Sequence, residues 1–148
     1  MTKRWSGYNN VGICATALMA VLSHSKQLNT ANALLVMPLV MHNATVIYLA
    51  NGKVAKRDAA ALVAHRPDLF ANFNSRFEEG LAITVNAIQL IVAAGYAKFD
   101  GKLVLLKPLH IDASFGKRAE RIAKAANHIS VLLASPVDEL YLNFRIRL

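Results

Sequence analysis

The sequence predicts a mainly α-helical domain with a small β-hairpin, of the winged helix-turn-helix type. Three observations predict it. Apolar residues recur at helical spacing over residues 67–79 and again over 85–94, with Gly80 between the two runs. Tyr96-Ala97-Lys98-Phe99, then Asp100-Gly101, then residues 102–106 carry a hairpin signal, because Asp-Gly supplies the positive backbone angles of a tight turn. Helix, tight turn, helix, hairpin is the order of a winged helix-turn-helix. No repeat, low-complexity tract or Gly/Ser linker divides the 148 residues, so residues 1–148 read as a single domain of this type.

Each element has its own signals. Residues 11–22 are apolar or small and read as a buried helix that stops in the polar stretch 23–29. Thr30 is the expected N-cap of a second helix running to about Met41, with Pro38 inside it as a kink or a break. Residues 45–50 form an apolar run that period alone does not assign, and Asn51-Gly52 is a turn. Residues 56–65 read as a short helix ending before Pro67, and Pro67 opens the next. There Leu69, Phe70, Phe73 and Phe77 make the core face, with Arg76, Glu78 and Glu79 on the surface. Gly80 is expected to stop that helix, Thr84 to cap residues 85–94, and Gly95 to end them.

After the hairpin, Ser114 begins a helix whose wheel separates cleanly. Phe115, Ala119, Ile122, Ala126, Ile129 and Leu133 share one side, and Lys117, Arg121, Lys124 and His128 lie within about 60° on the other. Ser135-Pro136, followed by Val137-Asp138-Glu139, has the form of another helix start. The alternation of Leu140, Leu142, Phe144, Ile146 and Leu148 with polar residues also reads as a strand; the cap signals favour a short helix.

Composition limits the function. Apolar residues are 55% of the chain and charged residues 18%, which excludes a disordered chain, and the single cysteine, Cys14, excludes a disulfide scaffold. No apolar stretch reaches the ~18 residues of a membrane span. Lys3-Arg4, the following apolar run and Ser23-His24-Ser25 imitate a secretory signal, but Ser6 to Asn10 separate the charges from the run. With a reduced thiol, a cytoplasmic protein is expected.

The net charge of +8 is unevenly placed: residues 1–50 carry +3, residues 51–100 carry +1 and residues 101–148 carry +4. From Trp5 to Gly52 the sole formal charge is Lys26, so this segment is either deep core or covered by another chain.

Catalytic apparatus is sparse. Cys14 lies in the most apolar segment and reads as a small buried hydrophobe. The five histidines make no pair at metal-binding helical spacing, and no Cys-x-x-Cys or His-Glu-x-x-His occurs. Glu78-Glu79 and Asp138-Glu139 diverge by about 100° on a helix and read as solvated faces. The glycines are dispersed and cradle no phosphate. A non-enzymatic protein without metal or cofactor is expected; an enzyme would need His42 and Cys14 to meet.

Binding remains. In a DNA-reading winged helix the second helix offers polar side chains to base edges, but residues 85–94 offer only Asn86 and Gln89. Val85, Asn86 and Gln89 are therefore better suited to a protein partner, together with Met37, Leu39 and Met41. Lys117, Arg121 and Lys124, with Lys98, Lys102 and Lys107 of the hairpin, read as phosphate contacts or as a solvated face. The alternative is a homodimeric winged-helix transcription regulator reading an operator through Asn86 and Gln89.

Four places add a resemblance: Trp5 before an Asn-containing helix start; Met37-Pro38-Leu39-Val40-Met41-His42; Arg66-Pro67-Asp68-Leu69, Arg76 and Thr84-x-x-Ala87-Ile88 leading to the Gly95 hairpin; and the Ser114 helix followed by Ser135-Pro136. Together they resemble the middle component of bacterial ABC three-component systems. The chain departs from that pattern at Asn10-Val11-Gly12-Ile13 and in its last five residues. The resemblance implies a small winged-helix adaptor beside an SMC-type ABC ATPase and an effector such as a nuclease. Such systems, Lamassu-like ones among them, act in antiphage or anti-plasmid defence.

Overall fold

In a computed structural model, residues 9–148 are described; Trp5 and the Lys3-Arg4 pair lie outside them. The described residues form seven α-helices and a small sheet: α1 (Asn9–Ser25), β1 (Gln27–Asn29), α2 (Thr30–Val40), α3 (Asn43–Ala50), α4 (Ala59–His65), α5 (Phe73–Ala93), β2 (Ala97–Phe99), β3 (Lys102–Leu105), α6 (Lys117–Leu132) and α7 (Val137–Asn143). Single 3₁₀ turns at Pro67–Phe70 and Ala113–Phe115 precede α5 and α6. The fold is thus mainly helical with a three-stranded antiparallel sheet of order β1-β3-β2.

Helix α1 is the centre of the molecule. Cys14, Ala17, Leu18, Val21 and Leu22 have no exposed surface, and α1 packs against α2, α5 and α6. A helix apolar all round is stable only when covered on all sides, and here the chain covers its own helix. Helix α2 is equally buried from Leu35 to Val40. The uncharged N-terminal third is therefore largely core, and the alternative of a covering partner is not needed for α1 and α2.

Asn29, not Thr30, caps α2: its side-chain oxygen accepts the Asn32 N–H at 2.8 Å. Pro38 lies within α2, and α2 and α3 meet at 101°. Arg76 secures this bend. Its Nε donates to the Pro38 carbonyl (3.1 Å), and its two terminal nitrogens donate to the carbonyls of Ala71 (3.1 Å) and Leu69 (2.8 Å). The planar guanidinium satisfies three carbonyls that no helix claims. Sequence reasoning placed Arg76 on the surface; it is a half-buried clamp.

The largest correction concerns Gly80. It does not stop a helix, and Thr84 caps none: α5 runs unbroken for 21 residues, and the helix expected from Pro67 breaks instead at Ala71-Asn72, where Asn72 takes φ +63° just before α5 begins. Gly80 is buried where α5 crosses α2, and a Cβ built there would lie 3.4 Å from Met37 Cγ and 3.7 Å from Pro38 Cδ. The glycine serves close packing rather than a reversed backbone. Thr84 is buried and accepts a long hydrogen bond from the Cys14 thiol at 3.8 Å.

The hairpin forms as expected, with Gly101 at φ +70° in its turn. Strand β1 was not foreseen. It pairs with β3 through Leu28 opposite Leu103, and its three residues carry a single apolar side chain in a polar stretch. The tail is helical: α7 lays Phe144 against Phe70 and Phe73, each ring centroid 4.8 Å away, and Tyr141 donates to the Ala31 carbonyl at 2.7 Å. Helix α6 starts three residues later than expected, leaving Phe115 exposed outside it.

Candidate interaction surfaces

The first surface is the outward half of α5. Phe73, Phe77, Gly80, Thr84, Ala87 and Ile91 take the inward half. The outward half from Leu81 to Ala93 presents Leu81, Ala82, Val85, Asn86, Gln89, Leu90 and Ala93, with no charged residue among them. Val85 and Leu90 are each 49% exposed. A solvated helix face normally carries Lys, Glu or Arg, and three large aliphatics here make this face a candidate for interaction.

Of the residues expected at a protein partner, the structure leaves Val85, Asn86 and Gln89 on this face. Met37 and Leu39 are corrected: both are wholly buried, because the apolar run 33–40 is the core face of α2. Met41 is partly buried. Leu90, within the helix expected to meet a partner, is on this face too, whereas a helix stop expected at Gly80 detaches Leu81 from it.

The second surface is basic and follows the seam between α3 and α6, which pack side by side. Lys117, Arg121 and Lys124 are exposed on α6, as expected, and Arg118 joins them. At the start of α3, Arg118 and Arg121 line a concavity with Val40, Met41, Asn43 and Val46, and Arg121 donates to the Asn43 side chain at 3.2 Å. At the other end, Lys124 lines a second concavity with Asn51, Lys56, Asn127 and His128.

His128 departs from the stripe. It is 3% exposed, and its Nε2 accepts the Arg57 N–H at 3.4 Å, tying the loop after α3 to α6. Burial, then the positive charges of Lys56 and Arg57, hold its pKa below the ordinary 6.5. Neutrality is what an accepting ring nitrogen requires. The exposed loop lysines Lys53 and Lys56 were missed, since no periodic signal connects a turn to a helix 70 residues later.

Lys98 and Lys102 are exposed on the hairpin, whose strands pack on β1, α1, α2 and α5 rather than along α6. The main packing partners of α6 are α1 and α3, so nothing joins the hairpin lysines to the α6 stripe as one surface. Lys107 lies over the Tyr96 ring at 4.7 Å. The described residues hold one ion pair, Arg66 with Asp68 at 2.8 Å. The basic side chains of the seam are thus free of carboxylate partners among them.

A model of the ABC-three component (ABC-3C) system Middle Component 3 family matches residues 5–148. The chain belongs to this family. Neither curated proteins nor solved structures give a match. Membership in a three-component system implies partner subunits for the middle component.

The remaining chemistry is modest. Burial pushes the Cys14 thiol up to about 12, with the Thr84 hydrogen bond offsetting this in part. His42 bonds through Nδ1 to Thr45 Oγ1 at 2.7 Å, and burial, then Arg76, hold its pKa down. Each thus has its own partner, Cys14 in the core and His42 at the head of α3. Among the described residues, no three of His, Cys, Asp and Glu gather in a group able to hold a metal ion. No single described helix is long and apolar enough to cross a membrane.

Proposed function

We propose that this middle component is a non-catalytic adaptor in the cytoplasm, holding an SMC-type ABC ATPase and an effector subunit in one antiphage or anti-plasmid complex of the Lamassu kind. The observation that carries the reading is the exposed, uncharged half of α5 in a member of a multi-component family. Leu81, Val85 and Leu90 supply the apolar contact, and Asn86 and Gln89 supply hydrogen bonds that orient it. The strand order β1-β3-β2, with α5 leading into the hairpin, supports a winged-helix relation without a tight helix-turn-helix. Lys117, Arg121 and Lys124 add sequence-independent contact to DNA phosphates.

The test is co-expression with the genes encoded on either side, followed by purification through a tag on this chain. Both neighbours are expected to co-purify, and Val85→Asp with Leu90→Asp is expected to release at least one while leaving the melting temperature unchanged. A monodisperse monomer that retains neither neighbour would refute the reading. A homodimer that binds one operator sequence in moderate salt would replace it with a transcription regulator.

A further inference from the structure

We propose that the α3–α6 seam is a built site for duplex nucleic-acid backbone, and that the loop after α3 supplies half of it. This rests on the reading above that the chain touches DNA, and it specifies where and with which residues. The α6 stripe alone is three or four cations on one helix face. The structure extends it in two ways.

First, α3 and α6 run side by side in the same direction. The start of α3 at Asn43 meets Arg118 and Arg121, and its end at Ala50-Asn51 meets Lys124 and Asn127. From Arg118 to Asn127 the helix rises about 13.5 Å at about 1.5 Å per residue. One DNA strand carries about four phosphates over such a length, at about 3.4 Å of axis each.

Second, the loop is folded onto that line rather than away from it. The Asn51 side chain accepts the Lys53 N–H at 2.9 Å, and the Asn51 carbonyl accepts the Val54 N–H at 3.1 Å. The Arg57 N–H is held by His128, and the Arg57 guanidinium donates to the Tyr48 hydroxyl at 3.2 Å. Arg57 is thus spent on anchoring, while Lys56 remains exposed in the concavity it shares with Lys124, and Lys53 is exposed in the same loop three residues earlier.

Lys56, Arg118, Arg121 and Lys124 therefore line one seam, with Lys53 exposed in the loop that leads to it, and none is in an ion pair among the described residues. Against them α6 carries a single acid, Glu120, which is half-buried. Like charges gathered along a groove repel one another, and a polyanion of regular charge spacing relieves that repulsion. The exposed side chains at the seam's two concavities include no aromatic ring on which a base could stack, so backbone contact to a duplex fits better than single-strand binding.

The experiment uses the full chain and a fluorescein-labelled duplex of random sequence, read by fluorescence anisotropy at salt concentrations from about 50 to 200 mM. Five phosphate contacts give a slope of log K against log salt near about −4.5. Replacing Lys53 and Lys56 by Ala is expected to weaken binding about tenfold or more and to flatten the slope by about 2. Replacing Arg118, Arg121 and Lys124 is expected to flatten it by about 3, and replacing Lys98 and Lys102 to leave it unchanged. Circular dichroism of each variant checks that it is folded.

If the α6 variant weakens binding while the Lys53/Lys56 variant does not, the seam is overturned and the simpler α6 contact stands. Loss on replacing Lys98 and Lys102 moves the site to the hairpin and overturns the seam. No binding by the unaltered chain at the lowest salt removes both, leaving the adaptor role to the co-purification test. Poly-glutamate bound as tightly, with the same slope, would reassign the seam to an acidic protein.

Discussion

Replacing Gly80 by Ala should stabilise the protein. Gly80 is the eighth residue of a 21-residue helix, and it is not among the glycines with positive φ, which are Gly95, Gly101 and Gly116 among the described residues. In a helix interior Ala is favoured over Gly by about 1 kcal/mol, because the glycine backbone loses more freedom on folding. The added Cβ meets Met37 Cγ at 3.4 Å, Met37 Cβ at 3.5 Å and Pro38 Cδ at 3.7 Å, which are ordinary van der Waals distances. Each such contact adds about 0.1–0.2 kcal/mol of attraction if Met37 keeps its rotamer. The net expectation is a gain of about 0.5–1 kcal/mol, or about 2–3 °C in melting temperature for a chain of this length. Thermal unfolding followed by circular dichroism at 222 nm reads it directly. Gly80→Val is the counterpart: two further carbons have no room against Met37 and Pro38, and overpacking costs about 1–3 kcal/mol. A glycine stop with positive φ predicts the opposite for alanine, a loss of about 1–2 kcal/mol. A fall in melting temperature on Gly80→Ala would therefore refute the continuous α5.

Two further predictions concern the seams that hold the helices together. Arg76→Met keeps the volume but leaves the carbonyls of Pro38, Ala71 and Leu69 without their donor, and should cost about 2–3 kcal/mol in urea unfolding. Arg76→Lys should recover little of this, since an ammonium lacks the planar fork that reaches all three. His128 makes stability depend on pH. Its folded pKa is depressed, so the unfolded chain binds more protons, and stability present above pH 6.5 is lost as pH falls below it. Urea titrations from neutral to mildly acidic pH should show this slope, and His128→Gln should reduce it; an unchanged slope would mean that His128 titrates alike in the folded and unfolded chain.

Much of the helical order was legible in the sequence. The apolar block around Cys14, the helix starts near residues 30 and 137, and Asp100-Gly101 each encode a local preference strong enough to survive folding, although the cap is Asn29 rather than Thr30 and Pro136, without a side-chain cap bond, rather than Ser135. What was illegible depends on neighbours remote in sequence. Gly80 carries the same local signal whether it ends a helix or admits Met37, and only the crossing of α2 over α5 decides between them. Residues 27–29 become a strand because β3 offers them hydrogen bonds. His128 shares its polar face with Lys124 on any helical wheel, yet the loop folded over it turns that position inward. The candidate surfaces follow the same rule. Val85, Asn86 and Gln89 could be found from composition along one helix, whereas Lys53 and Lys56 join the basic seam only through tertiary contact.

The unbroken α5 has a mechanical consequence. Its 21 residues make a rod about 31 Å long. One half of that rod is the uncharged outer face, and its opposite end carries Phe73 in the aromatic cluster with Phe70 and Phe144, steadied by Arg76. With no hinge at Gly80, a load on Val85 or Leu90 is not absorbed midway. Met37 packs against the middle of the rod, and near its first turn Asn74 accepts the Arg147 N–H. The outer face of α5 and the residues around Arg147 are thereby joined by one continuous helix.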